Sequence, residues 1–340
     1  MEPELSLLQR MDLRNKSVLI TGADGFIGSH LTEMALGQAK RVRALALYNS
    51  FNSWGWLDDL RCLKDVEVIS GDVRDPRLCR TLCEDIDVVL NLAALIAIPY
   101  SYVAPASYVD TNVIGALNIC QACLDTKVER LVQMSSSEVY GTARYVPIDE
   151  KHPFQPQSPY SATKIAADAL VRSFFYAHKL PVIVARPFTT YGTRQSARAV
   201  IPTIITQIAS GASEVRLGDT TPTRNLNHVE DTCRGLLALA ACDEAVGEEV
   251  NIGTEDEISV EALFHLIARL MQRQVAIKED ETRRRPVGSE VLRLACDSTK
   301  LRHLTGFKPQ YKLEQGLAHT IPWFLDPDNL KKYKAGVYNV

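Results

Sequence analysis

Tyr160 and Lys164, one helical turn apart, are the side chains of this sequence best suited to acid–base chemistry. A helix would place both of them on the same face. An ammonium beside a phenol favours the phenolate, which can act as a base near neutral pH. Because the same spacing is common in amphipathic helices, the pair needs support from other parts of the chain.

A hydroxyl-rich segment with one carboxylate lies upstream of this pair. Ser136, Ser137 and Glu138 directly follow an apolar run that ends at Ser135. Functional side chains collect where the strands of a parallel sheet end. Together with the tyrosine and the lysine, this segment indicates redox chemistry on a sugar, with a further step at Glu138. The plainer alternative is that Glu138 is only a charged residue after a strand.

A glycine-rich loop near the N-terminus is typical of a dinucleotide site. An apolar strand leads into Gly22, Gly25 and Gly28, and an amphipathic helix follows to about Leu36. The first glycine permits a tight turn, the second lets a pyrophosphate approach the backbone, and the third lets helix and strand pack closely. The helix N-terminus offers free N–H groups and its dipole to phosphates. A turn without a ligand is the alternative, but strand, loop and helix all favour a nucleotide site.

Length, composition and charge limit the class of protein. The chain has 340 residues, of which 46% are hydrophobic, enough for a substantial core. A net charge of -3 with interspersed signs gives no reason to expect nucleic-acid or membrane binding. No apolar stretch reaches transmembrane length, and residues 1–16 lack a basic-then-apolar signal pattern. A cytoplasmic enzyme is therefore expected.

The eight cysteines predict neither a disulfide framework nor a metal site. Cys120 and Cys123 form a C-x-x-C pattern within a helical segment at 113–124, and no second Cys or His pair follows at zinc-like spacing. Buried helix thiols are the better interpretation. The seven histidines form no cluster in the sequence, so no metal ligand is predicted.

Apolar strands alternate with amphipathic helices through the first half of the chain. This pattern predicts an α/β fold with a Rossmann-like, doubly wound parallel sheet and a smaller C-terminal substrate-binding lobe. Residues 1–187 would form the dinucleotide-binding domain, and residues 188–340 mainly the substrate lobe. A return strand is predicted near 247–253, with helices near 201–210 and 260–273. The other strands are predicted at 17–21, 41–47, 66–70, 88–92, 130–135 and 182–186.

These motifs together resemble extended short-chain dehydrogenase/reductases of the NAD-dependent epimerase/dehydratase family over essentially the whole chain. Besides the glycine loop, the resemblance rests on Gly71-Asp72, Asn91 to Ala94, Asn112, the Tyr160/Lys164 pair and Arg186-Pro187. Within the family, the chain is similar to nucleotide-sugar 4,6-dehydratases of the legionaminic-acid type, which act on UDP- or GDP-N-acetylglucosamine, and of the GDP-mannose type. The segments that carry this finer resemblance lie at 48–56, 98–102, 136–138 and 195–202.

The resemblance implies a role for each catalytic candidate. Tyr160 would take the proton of the sugar C4 hydroxyl while hydride passes to the nicotinamide, and Lys164 would lower the pKa of the phenol and bond the nicotinamide ribose. Ser136 would hydrogen-bond O4 and relay its proton. Glu138 would remove the C5 proton, water would leave from C6, and hydride would return there. Ser137 stands where many dTDP-glucose-type enzymes have Asp, so Glu138 or water would be the acid.

NAD is the implied cofactor, and NADP stays open. The second strand ends in Leu47-Tyr48-Asn49, with neither an acid for a ribose 2′-hydroxyl nor an arginine for a 2′-phosphate. Asp72 matches the family position that meets the adenine amine, although a turn role is equally plausible. The residues assigned to the cofactor are Gly22, Gly25, Phe26, Ile27, Gly28, Asn49, Asp72, Val73, Leu92, Ala93, Ala94, Asn112, Tyr160, Lys164 and Arg186.

A nucleotide-sugar is the implied substrate, bound between the lobes. Arg224 and Arg285 match the family's pyrophosphate arginines, and a guanidinium suits bidentate phosphate binding. The candidate substrate-binding residues are Thr189, Arg198, Val200, Arg224 and Arg285. A homodimer is also expected, because the helices near 113–124 and 161–176 look too apolar for one free face and relatives pair them in a four-helix bundle.

Other functions stay open beside the 4,6-dehydratase. A UDP-glucuronate decarboxylase or a nucleotide-sugar 4-epimerase would use the same scaffold. Decarboxylases also carry a Ser-Glu pair at this point, whereas an epimerase needs no carboxylate at C5. A non-catalytic nucleotide-binding protein is the third class, and the intact Ser136, Tyr160 and Lys164 argue against it.

Overall fold

A seven-stranded, fully parallel sheet forms the centre of the computed structural model, which describes residues 10–338. All the predicted strands are present, with small differences at their ends. The strands are β1 (Ser17–Thr21), β2 (Arg41–Leu47), β3 (Glu67–Gly71), β4 (Val88–Asn91), β5 (Arg130–Met134), β6 (Val182–Pro187), β7 (Thr189–Tyr191), β8 (Glu214–Leu217), β9 (Thr223–Arg224), β10 (Leu226–His228), β11 (Glu249–Ile252), β12 (Ile258–Ser259), β13 (Ala276–Glu279) and β14 (Arg293–Leu294).

The strand order of the central sheet is β11-β6-β5-β4-β1-β2-β3. The chain therefore begins in the middle at β1, builds outward to β3, and then crosses to β4 on the other side. Such a reversal leaves a crevice beyond the carboxyl ends of the two strands where it occurs, here β1 and β4. The predicted fold class, a Rossmann-like doubly wound parallel sheet, is confirmed.

Helices cover both faces of this sheet. They are α1 (Phe26–Leu36), α2 (Pro76–Cys83), α3 (Ile98–Val103), α4 (Pro105–Tyr108), α5 (Gly115–Thr126), α6 (Pro159–His178), α7 (Val200–Ala209), α8 (Val229–Ala241), α9 (Val260–Leu270), α10 (Thr299–Thr305), α11 (Leu313–Leu325) and α12 (Pro327–Leu330). None of the helices in the described range is long and apolar enough to cross a membrane.

The two faces of the sheet have separate cores because successive strand side chains point to opposite sides. Ile20 of β1 packs with Leu31 of α1 and Leu236 of α8. Its neighbour Leu19 packs on the other face against α2, α5 and α6. Cys120 and Cys123 of α5 are buried in this second core, as the interpretation of the C-x-x-C pattern proposed.

A third core lies in the C-terminal part of the chain, where α7, α9 and α11 pack together. The helices α8 and α10 and the strand β11, although they follow residue 187, pack on the central sheet. The division into lobes at 187 stays a prediction. Residues 1–9 and 339–340 of the two predicted lobes, and with them most of the segment tested for a signal pattern, lie outside the described range.

A π-helical segment near the cavity was not predicted from the sequence. A π-helical segment, Val109–Ile114, precedes α5, so the helix predicted at 113–124 begins as a π-helix. Segments of this kind occur frequently at functional sites. Here the segment contains Asn112 and lies beside the cavity described next.

Candidate active site

The glycine loop between β1 and α1 can adopt its shape only with glycine at two positions. Gly22 has φ +65°, and a Cβ there would lie 3.0 Å from the backbone nitrogen of Ala93. A Cβ on Gly28 would lie only 2.0 Å from the carbonyl oxygen of Gly22. Gly25, the N-cap of α1, carries no side chain that could bond the first-turn N–H groups, which therefore remain open to an anion.

The crevice between β1 and β4 is fixed by a buried threonine. Thr21 Oγ1 donates a hydrogen bond to Asn91 Oδ1 at 2.6 Å. The same oxygen accepts hydrogen bonds from the backbone nitrogens of Leu92 at 3.1 Å and Ala93 at 3.0 Å. The loop after β4 is thereby held against the glycine loop, and the two together form one wall of a cavity.

A cavity of about 440 Å³ opens at the carboxyl ends of β1 to β4. The sequence analysis missed several of its wall residues, including Arg74, Thr111 and Met134, since none belongs to a motif that it used. The predicted cofactor residues that form its wall are Gly22, Gly25, Phe26, Ile27, Gly28, Asp72, Val73, Leu92, Ala93 and Ala94. A long, glycine-walled cavity at the N-terminus of α1 fits a dinucleotide.

Arg186, whose contact with the cofactor stays a prediction, lies in a buried ion-pair network. Its side chain is completely buried, and its guanidinium forms ion pairs with Asp168 at 3.1 Å and with Glu249 at 2.9 Å. It also donates a hydrogen bond to the phenol oxygen of Tyr140 at 3.1 Å. The position matches the family motif, but the side chain points into the core. Its buried charge is compensated there by the carboxylates of Asp168 and Glu249.

Asn49 and Asn112 hold loops together and are not on the cavity wall. Asn49 Nδ2 donates to the carbonyl oxygen of Ser53 at 2.8 Å, which closes the loop after β2. Asn112 Oδ1 accepts from the backbone nitrogen of Leu95 at 2.8 Å, and its Nδ2 donates to the carbonyl oxygen of the same residue at 3.0 Å. Both side chains therefore support the cavity loops, and their contacts with the cofactor stay a prediction.

Tyr160 and Lys164 lie in the first turns of α6, as predicted. The hydroxyl of Ser158 caps the helix by accepting from the backbone nitrogen of Ser161, which fixes where α6 begins. Tyr160 is 6% exposed and Lys164 is 4% exposed. Lys164 Nζ donates a hydrogen bond to the carbonyl oxygen of Met134 at 2.8 Å, and Met134 lies on the cavity wall. Lys164 therefore contacts a wall residue of the proposed cofactor cavity, although neither Lys164 nor Tyr160 is itself part of the wall.

The electrostatics of the pair differ from the sequence prediction. Burial raises the pKa of Tyr160 above its usual range, a hydrogen bond with Ser136 lowers it, and the charge of Glu138 raises it. Burial also lowers the pKa of Lys164, to about 8. Ser136, and not Lys164, is therefore the neighbour that most favours the phenolate in the free protein.

The Ser-Ser-Glu segment forms a tight turn directly after β5. Ser136 caps a 3-10 turn at Ser137–Tyr140, and its Oγ accepts from the backbone nitrogen of Glu138 at 3.2 Å. Ser137 is buried, whereas Ser136 and Glu138 are half-buried. Because Ser136 bonds Tyr160 and Glu138 acts on the same phenol, the structure brings these three predicted catalytic residues together.

The two predicted pyrophosphate arginines converge on one acid. Arg224 lies 3.2 Å and Arg285 3.5 Å from the carboxylate of Glu290, a residue that the sequence analysis missed. Burial lowers the pKa of Arg224, and the charge that most strongly opposes this effect is Glu138. Arg224 of this cationic pair therefore lies close enough to the predicted catalytic carboxylate to interact with its charge. Its parts come from three distant segments, so no local spacing predicted the cluster.

The remaining substrate candidates lie on the elements that follow β6. Thr189 begins β7 and Val200 begins α7, and both are half-buried. Arg198 is exposed. Its charge lowers the pKa of Tyr108, which burial raises to about 12. Tyr108 packs edge-on against Tyr160, with ring centroids 6.3 Å apart. Arg198 therefore lies near Tyr108, which packs against the predicted catalytic tyrosine.

The fold and this site define a class of protein: an enzyme that binds a dinucleotide in a Rossmann-type cavity and does acid–base and redox chemistry beside it. A family model described as GDP-mannose 4,6 dehydratase matches residues 19–320. The chain belongs to this family. The predicted membership in the extended short-chain dehydrogenase/reductases, among nucleotide-sugar 4,6-dehydratases and epimerases, is confirmed.

Individual relatives agree with this assignment. The low-salt glycan biosynthesis protein Agl12 of Haloferax volcanii is 33% identical over 92% of this chain and 99% of its own length. A dTDP-glucose 4,6-dehydratase of Streptomyces venezuelae, solved with NAD, has a TM-score of 0.83 at 27% identity and covers 94% of this chain and 99% of its own. A UDP-glucuronic acid 4-epimerase of Bacillus cereus, also solved with NAD, has a TM-score of 0.83 at 26% identity, with coverages of 93% and 99%.

Proposed function

We propose that this protein is an NAD-dependent nucleotide-sugar 4,6-dehydratase that converts an NDP-hexose to its 4-keto-6-deoxy form. The observation that carries the proposal is that the backbone nitrogen of Glu138 bonds Ser136 Oγ at 3.2 Å and that the charge of Glu138 shifts the pKa of both Tyr160 and Arg224. Of the side chains at the site, oxidation at C4 by NAD needs only the tyrosine and the serine. A carboxylate beside them supplies the base that elimination across C5 and C6 requires.

NAD is the cofactor in this proposal, and the prediction of NAD is confirmed at the level of the family, since related structures are solved with NAD. When bound, NAD accepts a hydride and later returns it. In this chain Gly22, Gly25 and Gly28 would carry the pyrophosphate at the N-terminus of α1, and Asp72 and Val73 would border the adenosine end.

The residues of the site would act in sequence. Tyr160 accepts the proton of the C4 hydroxyl, and Ser136, already bonded to the phenol, relays it. The resulting C4 ketone acidifies the C5 proton, which Glu138 removes. Water then leaves from C6, with Glu138 or water as the proton donor, and the C6 carbon is reduced. Lys164 bonds the carbonyl oxygen of Met134 on the cavity wall, and its ammonium would hold the nicotinamide ribose when NAD is bound.

The substrate is proposed to carry a UDP or GDP group on a hexose or N-acetylhexosamine. Arg224 and Arg285 would bind the diphosphate, because guanidinium groups bind phosphate in bidentate fashion. Thr189, Arg198 and Val200 would surround the rest of the substrate from the elements after β6. Because Agl12 and dTDP-glucose 4,6-dehydratases are among the relatives, dTDP-sugars should be tested beside UDP- and GDP-sugars.

A second candidate is supported by the similarity to the UDP-glucuronic acid 4-epimerase. A 4-epimerase would use Ser136 and Tyr160 for oxidation and re-reduction at C4 and would leave Glu138 without a chemical role. A UDP-glucuronate decarboxylase would instead lose carbon dioxide after the same oxidation. Both alternatives can be distinguished from dehydration by the mass of the product.

Mass spectrometry of purified protein with UDP-, GDP- and dTDP-sugars tests the proposal. The expected product has lost one water from a nucleotide hexose. Loss of carbon dioxide from a UDP-hexuronate would establish the decarboxylase, and conversion between C4 epimers without a mass change would establish the epimerase. A product of either kind, without dehydration of any substrate, would overturn the proposal.

The same proposal includes a homodimer in the cytoplasm. Ile114 of the π-helical segment is 40% exposed and Tyr176 of α6 is 59% exposed, so apolar surface is accessible just before α5 and on α6. Pairing α5 and α6 of two chains would bury it. Light scattering at micromolar concentration should give the mass of two chains, and a monomer would contradict this part of the proposal.

A further inference from the structure

A row of charges with alternating sign leads from the catalytic lysine into the core, and the proposed mechanism does not use it. Lys164 and Asp168 lie on α6, Arg186 on β6 and Glu249 on β11. Asp168 and Arg186 are 1% and 0% exposed, and their ion pair is 3.1 Å long. Arg186 also pairs with Glu249 at 2.9 Å, which pairs with Arg172 at 2.9 Å nearer the surface.

One carboxylate oxygen of Asp168 accepts several hydrogen bonds, and the other accepts none in the described range. Its Oδ2 accepts hydrogen bonds from the hydroxyl of Ser135 at 2.7 Å and from Nε and Nη2 of Arg186, both at 3.1 Å. Its Oδ1 is buried and accepts no hydrogen bond from any residue in the described range. A buried carboxylate oxygen without a donor is costly unless a nearby cation compensates it.

Lys164 is the cation on the same helix face, four residues before Asp168. Its ammonium can donate three hydrogen bonds. Within residues 10–338 it donates one, to the carbonyl oxygen of Met134. Asp168 is the charge that most favours the protonated lysine, against the burial that disfavours it. Asp168 therefore pairs directly with Arg186 at 3.1 Å. Lys164, one helical turn away, forms no direct ion pair with Asp168 in the described range, so the two interact through their charges.

We infer that Asp168 is a positioning residue for the proposed reaction: its open oxygen stabilises the Lys164 ammonium, while Ser135 and Arg186 hold the carboxylate in place. The inference rests on the proposed function. Asp168 lies behind the lysine and acts only through it. Without this charge the buried lysine would lose its proton at a lower pH and could no longer act as a cation beside the nicotinamide ribose.

Several other charged or titratable groups surround this pair and enter the expected pH dependence. On α6 itself these are Tyr160 and, nearer the surface, Arg172. From other elements, the groups are Tyr108 of α4, Glu138 after β5, Arg186 of β6 and Glu249 of β11. Asp168 is the carboxylate on the lysine's own helix face, so its removal should have the largest effect on the lysine.

The direct test is a titration of Lys164 in protein labelled with 13C at the lysine Cε, with the signal assigned by its loss in Lys164→Met. The wild-type midpoint is expected near 8. In Asp168→Asn the midpoint should fall by about one pH unit, which is a tenfold loss of proton affinity. Glu249→Gln, which removes the next carboxylate along the row, is the matched control and should shift the midpoint less. An unchanged midpoint in Asp168→Asn would overturn the inference.

A second variant covers the case in which Asp168→Asn does not fold, since it leaves Arg186 with one carboxylate less. The double variant Asp168→Asn/Arg186→Met removes both members of the buried pair, a change that proteins tolerate better than the loss of one partner. It should still lower the Lys164 midpoint, because Asp168, and not Arg186, is the removed charge that acts on Lys164. A double variant that folds with the wild-type midpoint would also overturn the inference.

Turnover separates this inference from the proposed function. In Asp168→Asn, kcat at pH 8 should fall about fivefold with KM unchanged, because the protonated fraction of Lys164 falls from about one half to about one tenth. The alkaline limb of the pH profile should move to lower pH, and Asp168→Glu should recover most of the loss. Loss of activity with an unmoved limb would contradict the positioning role. A shifted midpoint in a protein that converts no nucleotide sugar would instead overturn the proposed function and leave the link between the two residues supported.

Discussion

The cofactor half and the substrate half of this site are built in different ways. The proposed cofactor half is formed by glycine backbone and mostly apolar side chains at the ends of β1 to β4, with Gly22 and Gly28 where no Cβ fits. The substrate half consists of charged side chains, Glu138, Arg224 and Glu290, that come from distant segments. A backbone cradle depends on residue spacing, so a sequence reveals it, whereas a side-chain cluster depends on the tertiary fold.

The same difference predicts how the two halves fail. Changes in the backbone cradle should weaken cofactor binding and leave the chemistry of any bound molecules intact. Changes in the side-chain cluster should spare cofactor binding and affect substrate binding or a chemical step. The variants below can break this division or sharpen it.

The largest effect is expected for Tyr160→Phe, which removes the base and keeps the ring packed against Tyr108. The turnover rate should fall at least about 10²-fold, as is typical of the loss of general acid–base catalysis. NAD affinity should stay the same. Steady-state kinetics and calorimetric NAD binding check both statements, with Tyr145→Phe, an exposed tyrosine bonded to Asp149, as the control. Near wild-type turnover would refute the redox role of Tyr160.

Gly22→Ala should weaken NAD binding at least about tenfold, because φ +65° and the approach to Ala93 both oppose a side chain. Gly211→Ala is the matched control, since Gly211 has φ +84° but open space around its missing Cβ. Both variants should lose about 1 kcal/mol of stability through backbone strain. Only Gly22→Ala should lose NAD affinity in calorimetry. Equal NAD binding by the two variants would mean that the loop is not the pyrophosphate cradle.

Arg224→Gln should raise KM for the nucleotide sugar about tenfold or more, which corresponds to the loss of hydrogen bonds between charged groups. Its NAD affinity should not change. Arg269→Gln removes an exposed ion pair with Glu314 and serves as the control with no expected effect. A loss of NAD affinity in Arg224→Gln, with KM unchanged, would break the division between the two halves.

Lys164→Met should change how stability depends on pH. The unfolded lysine keeps its proton up to about 10.5, but the folded one loses it near 8, so between these values the unfolded chain binds more protons. The contribution of Lys164 to stability therefore rises with pH through this window. At pH 7 the variant should be more stable than wild type by about 3 kcal/mol, an advantage that shrinks toward pH 10.5. Urea unfolding at several pH values measures the difference, and a constant difference would contradict it.

The sheet and the glycine loop could be predicted from the sequence because apolar periodicity and glycine spacing have direct structural causes. Side-chain direction could not. Asn112 and Arg186 match family positions, yet Asn112 clamps the backbone of Leu95 and Arg186 points into a buried ion-pair network. The π-helical segment Val109–Ile114 looks like an ordinary amphipathic helix in the sequence, and Glu290 has no motif that ties it to Arg224.

The central claim is that Glu138 makes this site a dehydratase, and Glu138→Gln tests it most directly. The amide is nearly isosteric but cannot accept the C5 proton, whereas Ser136 and Tyr160 can still support oxidation at C4. With the nucleotide sugar that wild type dehydrates, the variant should accumulate reduced cofactor and exchange C5 hydrogen with deuterated water at least about 10²-fold more slowly. Release of the 4-keto-6-deoxy sugar at the wild-type rate would contradict the account.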